Sequence, residues 1–456
     1  MAAHERTGAV SGPFDKLGNR NGLQHTDTLW RRALEVIPAG TQTLSKGPGC
    51  FVDGFSPKYL RRGKGARVWD VDGNEYLDYC LACFPLTLGY GHPAIDQAIQ
   101  RQLADGITFS MMHPLEVEVA ERLVRAIPCA EMVRFAKNGS DVTAAAVRLA
   151  RHITGRERIA CFGYHGAQDW YIATTDRNFG IPGAVRALTH TFKYNDIGSL
   201  QALFTAHPGE FACVIMEPSI FETPRDGFLE QVKELTHANG ALLAFDEMLT
   251  GFRMARGGGQ EYFGVEPDLA TFGKGIANGM PLGVLVGRAE HMREFDKVFF
   301  STTYGGEALT LAAAAAGLDF YEQNDVIGKL WRSGGTVMDG FAGHVAAKQL
   351  GAHVSVAGFP VRMQLSFHDI AGAPSHLYAA IYQQEMFRRG IMCYTGVMSV
   401  SYAHTDAELD YTVKSFGEAL DVLAAAVASN DPEKFLEGKP PVPVFRALRE
   451  QRTTGN

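Results

Sequence analysis

A lysine and an acidic residue in the second half of the chain have the types and settings that one kind of covalent chemistry needs. Lys274 lies between two glycines, and Asp246 follows the apolar run 240–245. A lysine amine can condense with an aldehyde, and a carboxylate that faces a pyridine nitrogen can keep that nitrogen protonated. The pair is typical of an enzyme that uses pyridoxal 5'-phosphate (PLP). A lysine between glycines also fits a solvated loop.

Two short apolar segments are predicted to be buried strands that lead into acids. The segment 240–245 runs into Asp246, and the segment 211–216 runs into Glu217. Parallel strands covered on both faces read as continuous apolar runs, and open α/β sheets bind ligands at the carboxyl ends of their strands. We therefore expect both acids at the ligand-binding edge of a parallel sheet.

A third apolar segment, 132–136, is predicted to be a strand that leads through a glycine turn into a helix. The turn spans 137–141, and residues 142–151 are rich in helix formers. The free N–H groups of a helix start favour an anion, and the Ser140 hydroxyl could add a further bond to a phosphate. The same turn would also serve as an ordinary helix cap.

An aromatic residue follows the predicted strand 159–162. Tyr164, in Gly163-Tyr164-His165-Gly166, could stack on a flat heteroaromatic ring. Tyr164 and His165 equally fit the rim of a cleft, without a part in binding.

The order of these segments resembles the class III (ornithine/ω-type) aminotransferases of PLP fold type I, and within them the glutamate-1-semialdehyde aminomutase branch. The resemblance runs from about Ile37 to about Glu408. Its most specific part is the stretch from Asp246-Glu247-Met248-Leu249-Thr250-Gly251-Phe252-Arg253 through 262–269 to Lys274, and a looser match covers 67–79.

The resemblance implies an α/β architecture of two parts. A large domain with a doubly wound, mixed or parallel sheet would bind PLP, and a smaller α+β domain would be built from the N- and C-terminal segments. The expected bounds are 1–75 for an N-terminal arm and small-domain segment, 76–325 for the large domain and 326–456 for the C-terminal small domain. Helices are predicted at 376–389 and 407–426, and the start and the tail from Pro432 are predicted to be flexible or loosely packed.

The resemblance also implies roles at matching positions. Lys274 would bond to PLP, and Asp246 would pair with the ring nitrogen. The implied phosphate-binding residues are Asn138, Gly139 and Ser140. Tyr164 would stack on one face of the ring.

Three further positions complete the implied cofactor site. Met248, where relatives commonly have valine, would press on the second face of the ring, and Glu217 would lie near Asp246. Thr303, in a segment that resembles the piece reaching the neighbouring subunit, would donate to the phosphate of that subunit. The resemblance therefore implies a homodimer with a shared active site.

The chain departs from the aminomutase pattern on the substrate side. Lys46 stands where the aminomutase has a carboxylate-binding arginine, Cys83 where it has a tryptophan, and Gly396 where it has a glutamate. A lysine lacks the planar bidentate fork of arginine. We predict that Lys46 and Cys83 line the substrate site, although Lys46 also fits a solvated surface lysine.

These departures favour an aminotransferase over an aminomutase. An aminomutase must retain its intermediate for a second half-reaction, whereas an aminotransferase releases a keto product and admits a second substrate. The sequence predicts a ping-pong transfer from a small-molecule amino donor to a carbonyl acceptor, which could be an aldehyde, a ketone or a keto-sugar. An isomerase of the glutamate-1-semialdehyde 2,1-aminomutase type is the alternative.

Composition narrows the function classes. The 456 residues are 46% hydrophobic, ample for a sizeable core, and the net charge of -7 argues against nucleic acid as a partner. The start lacks an apolar signal core, and the apolar run 309–318 is too short to span a bilayer. The 7 cysteines include a C-x-x-C spacing at Cys80 and Cys83, but no second pair or nearby histidine completes a zinc set. We expect no metal, no membrane and a cytoplasmic enzyme with reduced thiols.

Two other classes of protein fit the sequence less well. A doubly wound nucleotide-binding protein would need a GxxxxGK[ST] or GxGxxG motif in the right context, and the glycines around Lys274 lack that spacing. A non-catalytic homologue would not need both Lys274 and Asp246.

Overall fold

The computed structural model describes residues 14–18 and 21–441, so the predictions for most of the polar start and for the tail beyond 441 fall outside the described residues. The α-helices are α1 (Gln24–Val36), α2 (Pro93–Asp105), α3 (Pro114–Ala126), α4 (Gly139–Thr154), α5 (Asp169–Ile172), α6 (Gly183–Arg186), α7 (Ile197–Ala206), α8 (Phe228–Ala238), α9 (Gly259–Phe263), α10 (Ala289–Met292), α11 (Ala308–Gln323), α12 (Val326–Ala347), α13 (His376–Arg388) and α14 (Asp406–Val427). The strands are β1 (Leu60–Lys64), β2 (Arg67–Asp70), β3 (Glu75–Asp78), β4 (Met132–Ala136), β5 (Arg158–Phe162), β6 (Thr189–Thr191), β7 (Phe211–Met216), β8 (Leu242–Asp246), β9 (Leu269–Phe272), β10 (Gly283–Gly287), β11 (Val354–Phe359), β12 (Arg362–Phe367), β13 (Ile391–Met392) and β14 (Val397–Met398). Short 3-10 helices span Pro38–Gly40, Leu44–Lys46, Pro48–Cys50, Lys274–Ala277, Arg293–Asp296 and Pro432–Phe435.

A seven-stranded mixed sheet with the order β4-β10-β9-β8-β7-β5-β6 lies at the centre of the structure. Strands β5 to β9 pair in parallel, and β10 pairs antiparallel with both β4 and β9. Every residue of β7 is buried, as is every residue of β10, because helices such as α4 cover the sheet. The predicted strands at 211–216 and 132–136 are confirmed at those bounds, and the strand predicted at 240–245 spans Leu242–Asp246.

Two smaller sheets bring together distant parts of the chain. In the sheet β1-β2-β3-β13, the C-terminal strand β13 pairs in parallel with β3, with Ile391 opposite Leu77. The sheet β11-β12-β14 is antiparallel; α12 and α13 pack beside it, and α14 packs on both of these helices. This is the predicted α/β architecture of PLP fold type I, while the exact domain bounds stay a prediction.

Local capping explains where several of the helices begin. At α14, Thr405 and Glu408 form a reciprocal capping box, in which Thr405 N–H donates to Glu408 Oε2 at 3.0 Å. Helices α13 and α14 lie where the sequence predicts them, to within one residue at each end. Among residues 14–18 and 21–441, no helix combines the length and apolar character needed to cross a bilayer.

Candidate active site

Asp246 is the last residue of β8 and lies buried at the carboxyl end of the central sheet. His165 Nδ1 lies 2.8 Å from Asp246 Oδ2, and Met248 N–H donates to Asp246 Oδ1 at 3.1 Å. His165 Nε2 lies 3.0 Å from the carbonyl oxygen of Phe162. Since a carboxylate accepts, Nδ1–H donates to Asp246, and the second ring nitrogen faces a backbone acceptor. The carboxylate is thus fixed in orientation by two donors.

Lys274 follows the neighbouring strand β9 and begins a 3-10 helix. Asp246 pairs with Thr271 of β9, so the acid and the lysine lie at the same edge of the sheet. Lys274 has φ of 44°, a left-handed conformation that costs a residue with a Cβ roughly 1–2 kcal/mol. Strain of this kind clusters at functional sites.

The surroundings of Lys274 favour its neutral amine. Burial lowers the pKa of Lys274; the charges of Asp246 and Glu217 oppose this shift, and those of Arg362 and Arg253 reinforce it. The neutral amine is the nucleophilic form of a lysine. The residue as a whole is half-buried, at the sheet edge where open α/β sheets bind ligands.

The predicted phosphate loop lies at the start of α4, beside the loop that carries Tyr164. Asn138 N–H donates to Asp141 Oδ2 at 2.9 Å, which caps the helix. Ser140 Oγ accepts from Ala167 N–H at 2.9 Å. Gly166 has φ of 104°, and a Cβ there would lie 2.3 Å from Ser140 Oγ, so only glycine permits this approach. The loop therefore serves as a cap and also presents a helix start suited to an anion.

Met248 packs between the predicted phosphate loop and the loop of Lys274. A Cβ on Gly139 would lie 2.9 Å from Met248 Sδ, and one on Gly273 would lie 2.7 Å from it. Tyr164 is 39% exposed, its N–H donates to Glu217 Oε1 at 2.9 Å, and burial raises its pKa. The two glycines thus make room for the thioether on one side, and Tyr164 remains accessible.

Glu217 joins the large sheet to a residue of the small antiparallel sheet. Its Oε2 lies 3.7 Å from Arg362 Nη1, and Arg362 lies at the start of β12. Burial raises the pKa of Glu217, and the charge of Arg362 opposes that shift. Arg362 also donates to the Ile220 carbonyl at 3.3 Å and lies 4.5 Å from the centroid of the Phe221 ring.

Sequence reasoning gave no role to Arg362 or Arg253. Arg253 is fully buried, donates to Ser399 Oγ at 2.5 Å and to the Phe84 carbonyl, and burial lowers its pKa to about 10. Arg253 is the last residue of the family-like stretch 246–253, so the sequence indicates the residue but not its partners. Arg362 had a weaker signal, a charge at the start of an alternating strand.

The substrate-side residues meet at a tyrosine that sequence reasoning also missed. Tyr394 Oη lies 3.1 Å from Cys83 Sγ and donates to the Ser45 carbonyl at 3.1 Å, next to exposed Lys46. Residues 81–84 have φ between 47° and 77°, a left-handed turn that keeps Cys83 partly exposed. Lys46 and Cys83 are therefore brought into one neighbourhood.

Thr303 lies outside the group of buried side chains around Asp246 and Lys274. It lies in the exposed stretch 301–304, just before α11.

The cysteines do not form a metal site: all 7 are free thiols, and the described part of the chain contains no group of three or more His, Cys, Asp or Glu residues arranged to hold a metal ion.

The residues at the sheet edge fit PLP. Lys274 supplies an amine for the aldehyde, Asp246 a buried carboxylate for the ring nitrogen, and the start of α4 an anion site. Tyr164 and Met248, which the sequence predicts to contact the two faces of the PLP ring, are both partly accessible to solvent.

Known proteins match the chain over most of its length. Residues 54–359 match the family model "Aminotransferase class-III". A 3-aminobutyryl-CoA aminotransferase of Cloacimonas acidaminovorans (strain Evry) is 35% identical over 418 residues, which cover 87% of this chain and 97% of the relative. A glutamate-1-semialdehyde 2,1-aminomutase of Acetivibrio thermocellus is 35% identical over 416 residues, which cover 86% and 96% of the two chains.

Solved structures of known proteins also share the fold of the chain. The PLP internal aldimine form of the FumI protein of Sphingopyxis sp. MTA144 has a TM-score of 0.84 at 30% identity, covering 91% of this chain and 100% of that chain. An omega-transaminase from Sphaerobacter thermophilus has a TM-score of 0.78 at 28% identity, covering 87% and 97%. The chain therefore belongs to the class III aminotransferases, enzymes of fold type I that use PLP as cofactor.

Proposed function

We propose that this aminotransferase uses Lys274 and Asp246 as its catalytic residues and acts as a homodimer on a small-molecule amino donor and a separate carbonyl acceptor. The observation that carries the proposal is the placement of the two residues at the ends of adjacent strands, with the acid held by His165 and the lysine in surroundings that favour the neutral amine.

Each residue has a defined task in this proposal. Bound PLP supplies an electron sink that stabilises negative charge on the substrate carbon. Lys274 Nζ accepts and returns the proton at that carbon, because Lys274 lies at the same edge of the sheet as Asp246 and burial lowers its pKa. Asp246 presents its carboxyl group at the carboxyl end of the sheet, where His165 and the Met248 N–H hold its two oxygens.

The remaining cofactor residues position the ring and the phosphate. We propose Asn138, Gly139 and Ser140 as the phosphate cradle, and Tyr164 and Met248 as the residues against the ring. Glu217 would act indirectly, by fixing the backbone of Tyr164, whose N–H donates to Glu217 Oε1. The bond between Ser140 Oγ and the Ala167 N–H joins the phosphate cradle to the loop that follows Tyr164.

The substrate side supports transfer to a second substrate over isomerisation. Lys46 is exposed and Cys83 contacts Tyr394, where the aminomutase branch has an arginine and a tryptophan. We propose that both residues line the substrate site. Relatives of comparable identity bear aminotransferase and aminomutase names, so the replaced residues carry this choice.

Half-reactions test this proposal directly. With an amino donor alone, the enzyme should release one keto product per site and stop, and continued turnover should require an added carbonyl acceptor. Efficient conversion of glutamate-1-semialdehyde to 5-aminolevulinate with no second substrate would show an aminomutase instead.

An exposed apolar area supports the homodimer. Met111 and Met112 are 83% and 84% exposed, and Phe299 and Tyr304 are 79% and 58% exposed. Ala308 N–H donates to the Ile107 carbonyl at 2.9 Å, so the stretch 107–112 lies beside the segment that carries Thr303. Clustered apolar side chains of this size mark an interaction surface. We propose that a second copy of the chain covers this apolar area and receives Thr303. We also propose that the enzyme is located in the cytoplasm.

A further inference from the structure

An ion pair ties the predicted phosphate loop to the segment of Thr303. Lys137 directly precedes Asn138, and its Nζ lies 2.8 Å from Glu307 Oε2, with 17% and 11% of the two side chains exposed. Glu307 also caps α11, since it accepts from the Leu309 N–H at 2.6 Å and from Thr310 Oγ1 at 2.7 Å. Burial would raise the pKa of Glu307, but the bonds from Lys137 and Thr310 outweigh it and the pKa is lowered.

The start of the segment that carries Thr303 is bonded to β4 and α4, next to the predicted phosphate loop. Arg148 of α4 donates to the Phe299 carbonyl at 2.7 Å, and Arg134 of β4 donates to the Phe300 carbonyl. A Cβ on Gly305 would lie 3.2 Å from the Phe135 carbonyl of β4. The exposed stretch 301–304 is thus fixed at both ends to β4, α4 and the loop between them.

Strand β4, helix α4 and the segment of Thr303 therefore form one connected unit. This unit carries two proposed phosphate-binding groups, each for a different cofactor. Asn138–Ser140 would face the phosphate of the subunit's own cofactor, whereas Thr303 would face the phosphate of its partner's cofactor. Any ordering of the loop by the first phosphate reaches the second through Lys137, because this lysine is adjacent to Asn138 and bonded to the residue at which α11 begins.

We propose that Lys137 and Glu307 are positioning residues that couple the two cofactor phosphate sites of the dimer, an inference that rests on the homodimeric function proposed above. Neither residue needs to touch PLP in this role. A unit that one phosphate has already ordered costs less to order for the second, so PLP bound to one subunit raises the affinity of the other. The coupling is reciprocal.

Titration of the apoprotein with PLP tests the coupling. Occupancy is followed by the visible absorbance of lysine-bound PLP, and the oligomeric state by light scattering. We expect cooperative binding in the wild type. In Lys137→Met and Glu307→Gln the cooperativity should disappear, and the second site should bind roughly fivefold or more weakly. The double variant should be no worse than either single variant, because both remove one interaction.

Matched variants separate coupling from loss of fold. Lys137→Arg keeps the charge and should restore cooperative binding. Lys297→Met breaks an ion pair of similar length but greater exposure, with Glu294 Oε2 at 2.9 Å, and should titrate like the wild type. Glu307→Gln retains an acceptor for the cap of α11, so its thermal unfolding should change little.

The outcomes that overturn the proposal are distinct. Non-cooperative binding by a dimeric wild type would exclude coupling while leaving the transaminase intact. Weak binding in Lys137→Met alone, with Glu307→Gln unchanged, would place Lys137 directly on the phosphate and refute the pair. A wild type without the absorbance band, or a monomer that shows it, would overturn the function or the dimer on which the inference rests.

Discussion

His165 donates through Nδ1 to Asp246 Oδ2 at 2.8 Å, and both side chains are buried beneath the floor of the site. The ring of His165 also stacks on Trp170, with ring centroids 5.8 Å apart. A carboxylate held in this way cannot rotate freely, and its second oxygen is held by the Met248 N–H. The acid that the sequence assigns to the pyridine nitrogen is therefore oriented before any ligand arrives.

Removal of this clamp should reduce activity without removing the acid. In His165→Leu, Asp246 loses a charge-assisted hydrogen bond of a kind that contributes about 1.5–3 kcal/mol. We expect kcat to fall roughly tenfold or more, with PLP still bound. Steady-state kinetics and the absorbance spectrum check this. If kcat stays at the wild-type value in a folded variant, the orientation of Asp246 does not depend on His165.

Replacement of the lysine should abolish both covalent attachment of the cofactor and turnover. Lys274→Ala removes the amine that we propose bonds to the aldehyde, so the visible band of lysine-bound PLP should be absent. Lys297→Ala, at an exposed lysine, is the control for loss of a positive charge. Normal turnover by Lys274→Ala would refute the assignment.

Replacement of the acid should separate binding from catalysis. Asp246→Asn keeps the shape of the side chain but removes the charge that would hold the ring nitrogen protonated. The variant should bind PLP and slow the first half-reaction by orders of magnitude, as measured by stopped-flow absorbance. Wild-type rates would show that another residue has this role.

The local parts of the site could be predicted from the sequence. Continuous apolar runs indicated β7 and β8, and the turn with helix formers indicated α4, because these patterns span only a few residues. The fold, the family and the use of PLP are confirmed, whereas the roles of single residues stay predictions. Arg362 with Glu217 and Tyr394 with Cys83 could not be predicted, since each contact joins positions far apart in the chain.

A buried acid beside Asp246 should make stability depend on pH. Burial raises the pKa of Glu247 from 4.5 to about 7, against bonds from Thr250, Gly259 and Gln260 that lower it. The folded state then holds more protons than the unfolded state between these two values, so the free energy of unfolding falls as pH rises through this range. The loss from this group is about 3 kcal/mol.

Denaturant titrations at several pH values measure this effect. The decline between pH 4.5 and 7 should be smaller in Glu247→Gln than in the wild type. Equal slopes in the two proteins would show that Glu247 is ionised in the folded state across the whole range.

Subunit mixing tests whether Thr303 serves the partner's site. Thr303→Val alone should bind PLP more weakly, because the phosphate loses a hydroxyl donor, and Lys274→Ala alone should be inactive. In a mixed dimer, the subunit that keeps Lys274 receives Thr303 from the subunit that lacks the lysine, so one complete site forms. Random reassembly of equal amounts should make roughly a quarter of all sites complete and restore activity at low PLP concentration. A mixture of Thr303→Val with Asp246→Asn should behave in the same way, since that pair also regenerates one intact site. If neither mixture exceeds the activity of its separate components although mixed dimers form, Thr303 acts within its own subunit or not at all.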